Sequence, residues 1–136
     1  MMKRRNPHRM AKRHLQQFLR IAVREAENDR EICGVIVDSS WMLELVRLPN
    51  RTQRRGGFRL LEEDWKPVAH SARRLGHRIV GSFHSHPAYL AKPGTGDIQG
   101  AEIGSLMLVI DCIGREAGLW RIGRNRRAYS LRLELV

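Results

Sequence analysis

The fourteen residues HSHPAYLAKPGTGD, 84–97, constrain this chain more than any other segment. They continue an alternating stretch, HRIVGSFHSH (77–86), which reads as a β-strand that Pro87 stops. Residues i and i+2 of a strand share a face, so His84 and His86 project side by side. A Gly/Pro-rich loop then leads to Asp97, eleven residues beyond His86. Two imidazoles and one carboxylate form an N,N,O set that zinc accepts, and a fourth position stays open for water, as catalytic zinc sites require. An isolated HxH pair is common among packed and surface histidines; the proline and the aspartate reached through that loop make the pattern far more specific.

The elements around this strand read as a mixed α/β sandwich, a sheet with helices interrupting its strands. Apolar Leu15, Phe18, Leu19, Ala22 and Val23 recur at helical spacing within 10–26. ICGVIVD (32–38) and WMLELVRL (41–48) predict a hairpin, and 58–61 a short strand. Residues 62–76 read as a second helix that ends at Gly76, with Pro67 near its first turn or kinking it. The segment 97–104 predicts a short helix with Asp97 at its N-cap. SLMLVIDCI (105–113), the most apolar run, predicts a central strand, and AGLWRIG and RAYSLRLELV two closing strands.

At 136 residues the expectation is one domain over 1–136, with a basic, flexible segment at 1–11. No run of about 18 apolar residues suggests a membrane span, and no apolar stretch follows the basic start as in a secretory signal. Cys33 and Cys112 match no CxxC spacing and read as small buried hydrophobes of a reducing, cytoplasmic compartment. The net charge of +11 favours an acidic partner, either a protein surface or nucleic acid. Basic clusters at 3–14, 51–59, 72–74 and 121–127 lack the interleaved aromatics of a stacking platform, so a nucleic-acid partner is not expected.

Glu31, where the first helix gives way to ICGVIV, is the other acidic residue at a sharp junction, and a carboxylate beside such water could take its proton. With EICG at 31–34, HSHP at 84–87 and Asp97 at the family spacing, the chain resembles the JAMM/MPN metalloprotease domain. LPN (48–50), FRLLEEDW (58–65) and DIQGA (97–101) extend the resemblance over about residues 12–136. It implies a cytidine-deaminase-like α/β fold. The H-x-E and PCxxC motifs of the zinc deaminases themselves are missing, so deamination is set aside.

The resemblance implies that His84, His86 and Asp97 hold Zn²⁺ and that Glu31 is the general acid/base. It implies cleavage of peptide or isopeptide bonds, often after the Gly-Gly tail of a ubiquitin-like protein or its conjugate. The chain departs from the family pattern at Gly94, where a serine that stabilises the oxyanion is expected; Thr95 stands next to it. Only GREAGL (114–119) follows the strand at 105–113, where linkage-selective members carry a long insertion. A compact form of this kind is similar to prokaryotic members that act beside E1/E2-like conjugation enzymes in antiviral systems, and to others that trim sulfur-carrier proteins; the basic surface favours the first. A non-catalytic MPN-type binding module is the alternative that Gly94 raises.

Ser85 is expected to face away from the histidines and to support them. His70 and His77 are expected on the surface, the three tryptophans in packing, Cys33 buried beside the site, and Tyr89 either in a substrate groove or over the loop.

Overall fold

The computed structural model describes residues 8–52, 56–87 and 90–136. In chain order they form β1 (His8–Met10), α1 (Lys12–Ala26), β2 (Cys33–Asp38), β3 (Leu43–Leu48), α2 (Glu62–Arg74), β4 (Arg78–His86), α3 (Thr95–Gly100), β5 (Leu106–Asp111), β6 (Glu116–Ile122), β7 (Ala128–Leu131) and β8 (Leu133–Leu135). Six strands make one sheet in the order β3-β2-β4-β5-β6-β7. Only the β4–β5 pair is parallel; the other neighbours run antiparallel.

Helices cover both faces of this sheet. Leu15, Phe18 and Ala22 of α1 pack with Ile36, Phe83, Leu106, Leu108 and Ile110. On the other face Ala72 of α2 packs with Val35, Val37 and Leu48, joined by Trp65 and Val68. Alternate residues of β2 therefore serve opposite cores, as the period of a strand requires. Every residue of β5 is buried, because this strand lies in the middle of the sheet with cover on both sides. Gly34 permits the close approach of β2 and β3: a Cβ there would stand 2.0 Å from the Val46 carbonyl oxygen. Acidic Glu62, Glu63 and Asp64 open α2 and Arg73 and Arg74 close it, matching the helix dipole. Pro67 lies inside α2, and Gly76 takes a positive φ of 75° just after its end.

Four expectations need correction. Residues 58–61 form no strand: the Arg59 N–H donates to the Asn50 side chain at 3.1 Å and its carbonyl accepts from Arg51 at 3.0 Å, so the segment wraps around Asn50. RAYSLRLELV splits at Arg132, and its second part leaves the main sheet to pair in parallel with β1, His8 opposite Leu133. That pairing gives structure to His8–Met10, with Met10 fully buried; residues 1–7 lie outside the described residues. Trp41 is 82% exposed at the β2–β3 turn, whereas Trp65, on α2, is partly buried against Val35, Val37 and Leu48. Both cysteines are buried and unpaired. Among the described residues no helix is long and apolar enough to cross a membrane.

One histidine belongs to the scaffold. His14 of α1 accepts the Leu45 N–H through Nε2 at 2.8 Å, a bond that needs the neutral ring. Burial, against a smaller opposing pull from Glu44, lowers its pKa below the usual value. A folded-state pKa below the unfolded one means that the contribution is complete above about pH 6.5 and is lost as pH falls through the folded value. Lowering the pH from about 7 to about 5 should therefore reduce Tm, and His14→Gln, whose amide oxygen accepts without titrating, should show a smaller reduction. Equal reductions in the two proteins would show that His14 does not carry this dependence.

Candidate metal centre

The β2–β4 register builds the site. Cys33 lies opposite His84, and beyond that pair the Ile32 N–H donates to Ser85 Oγ at 2.9 Å while the Ser85 N–H donates to the Ile32 carbonyl at 3.0 Å. Continuing this register places Glu31 opposite His86, on the face that His84 shares. Ser85, fully buried, points the other way and ties the two strands together, as expected. Glu31, His84 and His86 are all buried, and their donor atoms lie within 4.8 Å of one another.

Asp97 completes the cluster from α3. Its Oδ2 stands 3.0 Å from His84 Nε2 and 3.3 Å from His86 Nε2, and the two Nε2 atoms are 2.9 Å apart. The N-cap of α3 is Gly94, so Asp97 is the third helical residue, not the cap that was expected. It reaches back to accept the Gly94 N–H at 2.8 Å, which fixes the carboxylate and satisfies a free N-terminal donor together. Burial opposes ionisation of Asp97, but the His84 and His86 hydrogen bonds and the Gly94 N–H outweigh it and hold the carboxyl well below the usual range. His86 is pulled down by burial, and more strongly raised by Asp97 and by the Leu90 carbonyl.

The donor set fits a zinc ion. His86 Nδ1 faces the Leu90 carbonyl at 3.0 Å, which places a proton there and leaves the Nε2 lone pair turned toward His84 and Asp97. Two imidazole nitrogens and a carboxylate oxygen facing one another in a buried spot need a shared proton or a cation between them. His84 Nδ1 is buried without a hydrogen-bond partner among the described residues. Stacking orients that ring instead: Phe58 lies 4.4 Å away at an interplanar angle of 19°.

A loop between β3 and α2 closes over Glu31. The Gly57 N–H donates to the Glu31 carboxylate, and Asn50 Nδ2 donates to the Glu31 and Gly57 carbonyls at 3.0 and 3.2 Å. On the far side, Arg126 Nη1 contacts the carbonyls of Ile98, Gln99 and Ala101 at 3.3, 3.2 and 2.7 Å, capping the C-terminus of α3. Phe58, Gly57, Asn50 and Arg126 were not anticipated as site residues. The GGF that follows LPN was the available signal for the first two; nothing in the sequence pointed to Arg126.

Thr95 is the first residue of α3 and makes no side-chain hydrogen bond among the described residues. Cys33 is fully buried beside His84, with its thiol pushed up to about 12, chiefly by burial and then by Glu31. His70 is exposed and His77 half-buried; Tyr89 lies outside the described residues.

Residues 11–125 match the family described as prokaryotic homologs of the JAB domain. The chain belongs to that family. Three solved structures share the fold of this JAB domain. A protein from Desulfitobacterium hafniense is similar with a TM-score of 0.75 and 19% identity, over 94% of this chain and 92% of that one. A protein from Salinibacter ruber gives a TM-score of 0.64 and 17% identity, over 94% and 91%. A JAB1/MPN domain protein from Archaeoglobus fulgidus gives 0.62 and 16%, over 94% and 98%. No curated protein matches the chain.

Ser85→Ala would leave the buried Ile32 N–H without its acceptor. It should lower the unfolding free energy by about 1–3 kcal/mol, read as a lower midpoint in urea. An unchanged midpoint would remove Ser85 from its tying role.

Proposed function

We propose that this JAB domain is a zinc-dependent peptidase or isopeptidase that cleaves after the C-terminal tail of a ubiquitin-like protein. The observation that carries this reading is the convergence of His84, His86 and Asp97 donors within 3.3 Å of one another, with the Glu31 carboxylate within 4.8 Å of both histidines. His84, His86 and Asp97 would hold the ion, which supplies a Lewis acid for the scissile carbonyl and acidifies water.

Glu31 is placed for proton transfer. Its carboxylate is buried and held by the Gly57 N–H, so the group is oriented before substrate arrives. It takes a proton from the attacking water and gives one to the departing amine, a contribution of about 10²–10⁴-fold. A Gly-Gly tail suits the site because a segment without side chains can approach the buried metal ligands closely. E1/E2-like enzymes that conjugate such a protein are the accompanying partners that this reading suggests.

Position 94 limits the rate in this reading. Glycine offers no hydroxyl, and its N–H is already given to Asp97. A Cβ at Gly94 would meet only the Asp97 carboxylate, at 3.4 Å, and φ −80°, ψ 169° is open to any residue. Gly94→Ser should therefore fold without strain and raise kcat by roughly tenfold or more. No change, or a fall, would show that the loop meets the oxyanion in another way.

The deciding assay uses a ubiquitin-like protein with a Gly-Gly tail fused to a reporter. The zinc-loaded wild type should cleave the fusion. Glu31→Ala should fall by about 10² or more, and chelation should abolish cleavage until zinc is restored. Activity that survives both treatments would overturn the reading. Tight binding of the ubiquitin-like protein with no cleavage would place the chain among non-catalytic MPN-type binding modules, the alternative for which Gly94 speaks.

A further inference from the structure

A groove of about 1180 Å³ opens beside the metal centre, with Asp97 and Phe58 among its lining residues. Its floor follows β4 away from His84, from Ser82 back to Arg78, with Val35 and Met107 on the neighbouring strands. One wall is α2 and the other is the segment that follows α3. Because β5 begins at Leu106 opposite Gly81, the residues Arg78–Val80 have no strand beside them on that side among the described residues. An extended peptide laid in the groove finds an open strand edge there.

The groove is also strongly charged. Arg59, Arg73 and Arg78 line it, while Glu102 is the one carboxylate in the lining apart from Asp97. All three arginines are exposed. None makes an ion pair or a side-chain hydrogen bond among the described residues. Arg51 pairs with Asp64 at 2.9 Å and Arg126 caps α3, while Arg13 and Arg20 of α1 are, among the described residues, unpaired like the groove arginines; what sets Arg59, Arg73 and Arg78 apart is that they gather on one groove. Guanidinium groups held open on a half-apolar channel are receptors for carboxylates, which they bind through two parallel hydrogen bonds.

We propose that this groove receives an extended, acidic segment of the substrate that flanks the scissile bond, and that Arg59, Arg73 and Arg78 select its carboxylates. The proposal rests on the peptidase reading for what becomes of the segment, though not for its binding. Arg59 follows Phe58, which stacks on His84, so it reads a residue near the cleaved bond. Arg78 lies six residues before His84 along β4, roughly 20 Å, so it and Arg73 read residues about six positions away. A peptide fits better than a nucleic acid: the floor is a sheet with an open edge, and of the phenyl and indole rings in the lining, Phe58 is already stacked on His84 and Trp65 packs in part against Val35, Val37 and Leu48.

The test measures binding to the full chain carrying Glu31→Ala, so that catalysis does not enter. The probe is a fluorescein-labelled peptide of about eight residues, long enough to span the groove, with glutamates among leucines and a Gly-Gly end. Its partner has every glutamate changed to glutamine. The acidic peptide should bind at least about tenfold more tightly, a difference of about 1.4 kcal/mol. Arg73→Glu with Arg78→Glu should abolish that preference and favour a lysine version of the peptide. The control pair Arg13→Glu with Arg20→Glu, on α1 across the sheet, should leave it intact.

Equal affinity for the glutamate and glutamine peptides would overturn the proposal. So would an equal loss in the α1 control, which would assign the attraction to the overall charge of +11. A short single-stranded DNA that outcompetes the acidic peptide at physiological salt would also overturn it, in favour of a nucleic-acid groove. Selective binding of the acidic peptide, with no cleavage of the Gly-Gly reporter fusion by the zinc-loaded wild type, would leave the groove assignment standing and remove the peptidase reading.

Discussion

The reciprocal pair of hydrogen bonds between Ile32 and Ser85 is the interaction on which the site depends. It extends the β2–β4 ladder past the last formal strand pair, Cys33 with His84, by one residue. Slipping that ladder by a single residue would turn Glu31 to the α1 face and part it from both histidines. The interaction is buried, so water cannot replace it, and it joins segments some fifty positions apart. EICG and HSHP are thus the two sides of one short stretch of antiparallel pairing. Gly34 belongs to the same device, since only a residue without a Cβ lets β3 close on β2 at that level.

Around this fixed pair the remaining parts come from less regular chain. Asn50 supplies the order of the loop above Glu31, bonding the Glu31 and Gly57 carbonyls with its amide and the Thr52 and Arg59 N–H groups with its oxygen. One side chain thereby replaces a strand pairing and delivers the Gly57 N–H to a carboxylate. The loop before α3 is held in a similar way, through the Trp120 Nε1–H donating to the Ala91 carbonyl at 3.0 Å. These clasps order chain that no strand ladder holds.

The parts of the molecule visible in the sequence were those governed by strand or helix periodicity. The shared face of His84 and His86, the two-sided burial of β5 and the apolar stripe of α1 follow from spacing alone. Asp97 was found by its distance from His86, but its helical position was misread, because an aspartate before a helix usually caps it and Gly94 has no side chain to advertise the true cap. Residues 58–61 were misread as a strand because a short apolar run does not reveal where its backbone hydrogen bonds go. The pairing of β1 with β8 was equally hidden, since it joins the two ends of the described chain through three residues each. Trp41 shows the limit of hydrophobicity as a guide: it lies on a turn that nothing covers.

The cap that Arg126 places on α3 has a consequence for how the RIGRNRR run is understood. A helix of six residues is too short to persist by its own hydrogen bonds, and its exposed carbonyls face a guanidinium from the turn between β6 and β7. Part of what looks like solvated surface charge is therefore structural. Asp97 and the closing hairpin of the sheet are thereby joined through the two ends of one short helix. An ion gripped at Asp97 would slow the fraying of a turn at the opposite end of α3, and a change in that turn would be felt as a change in grip.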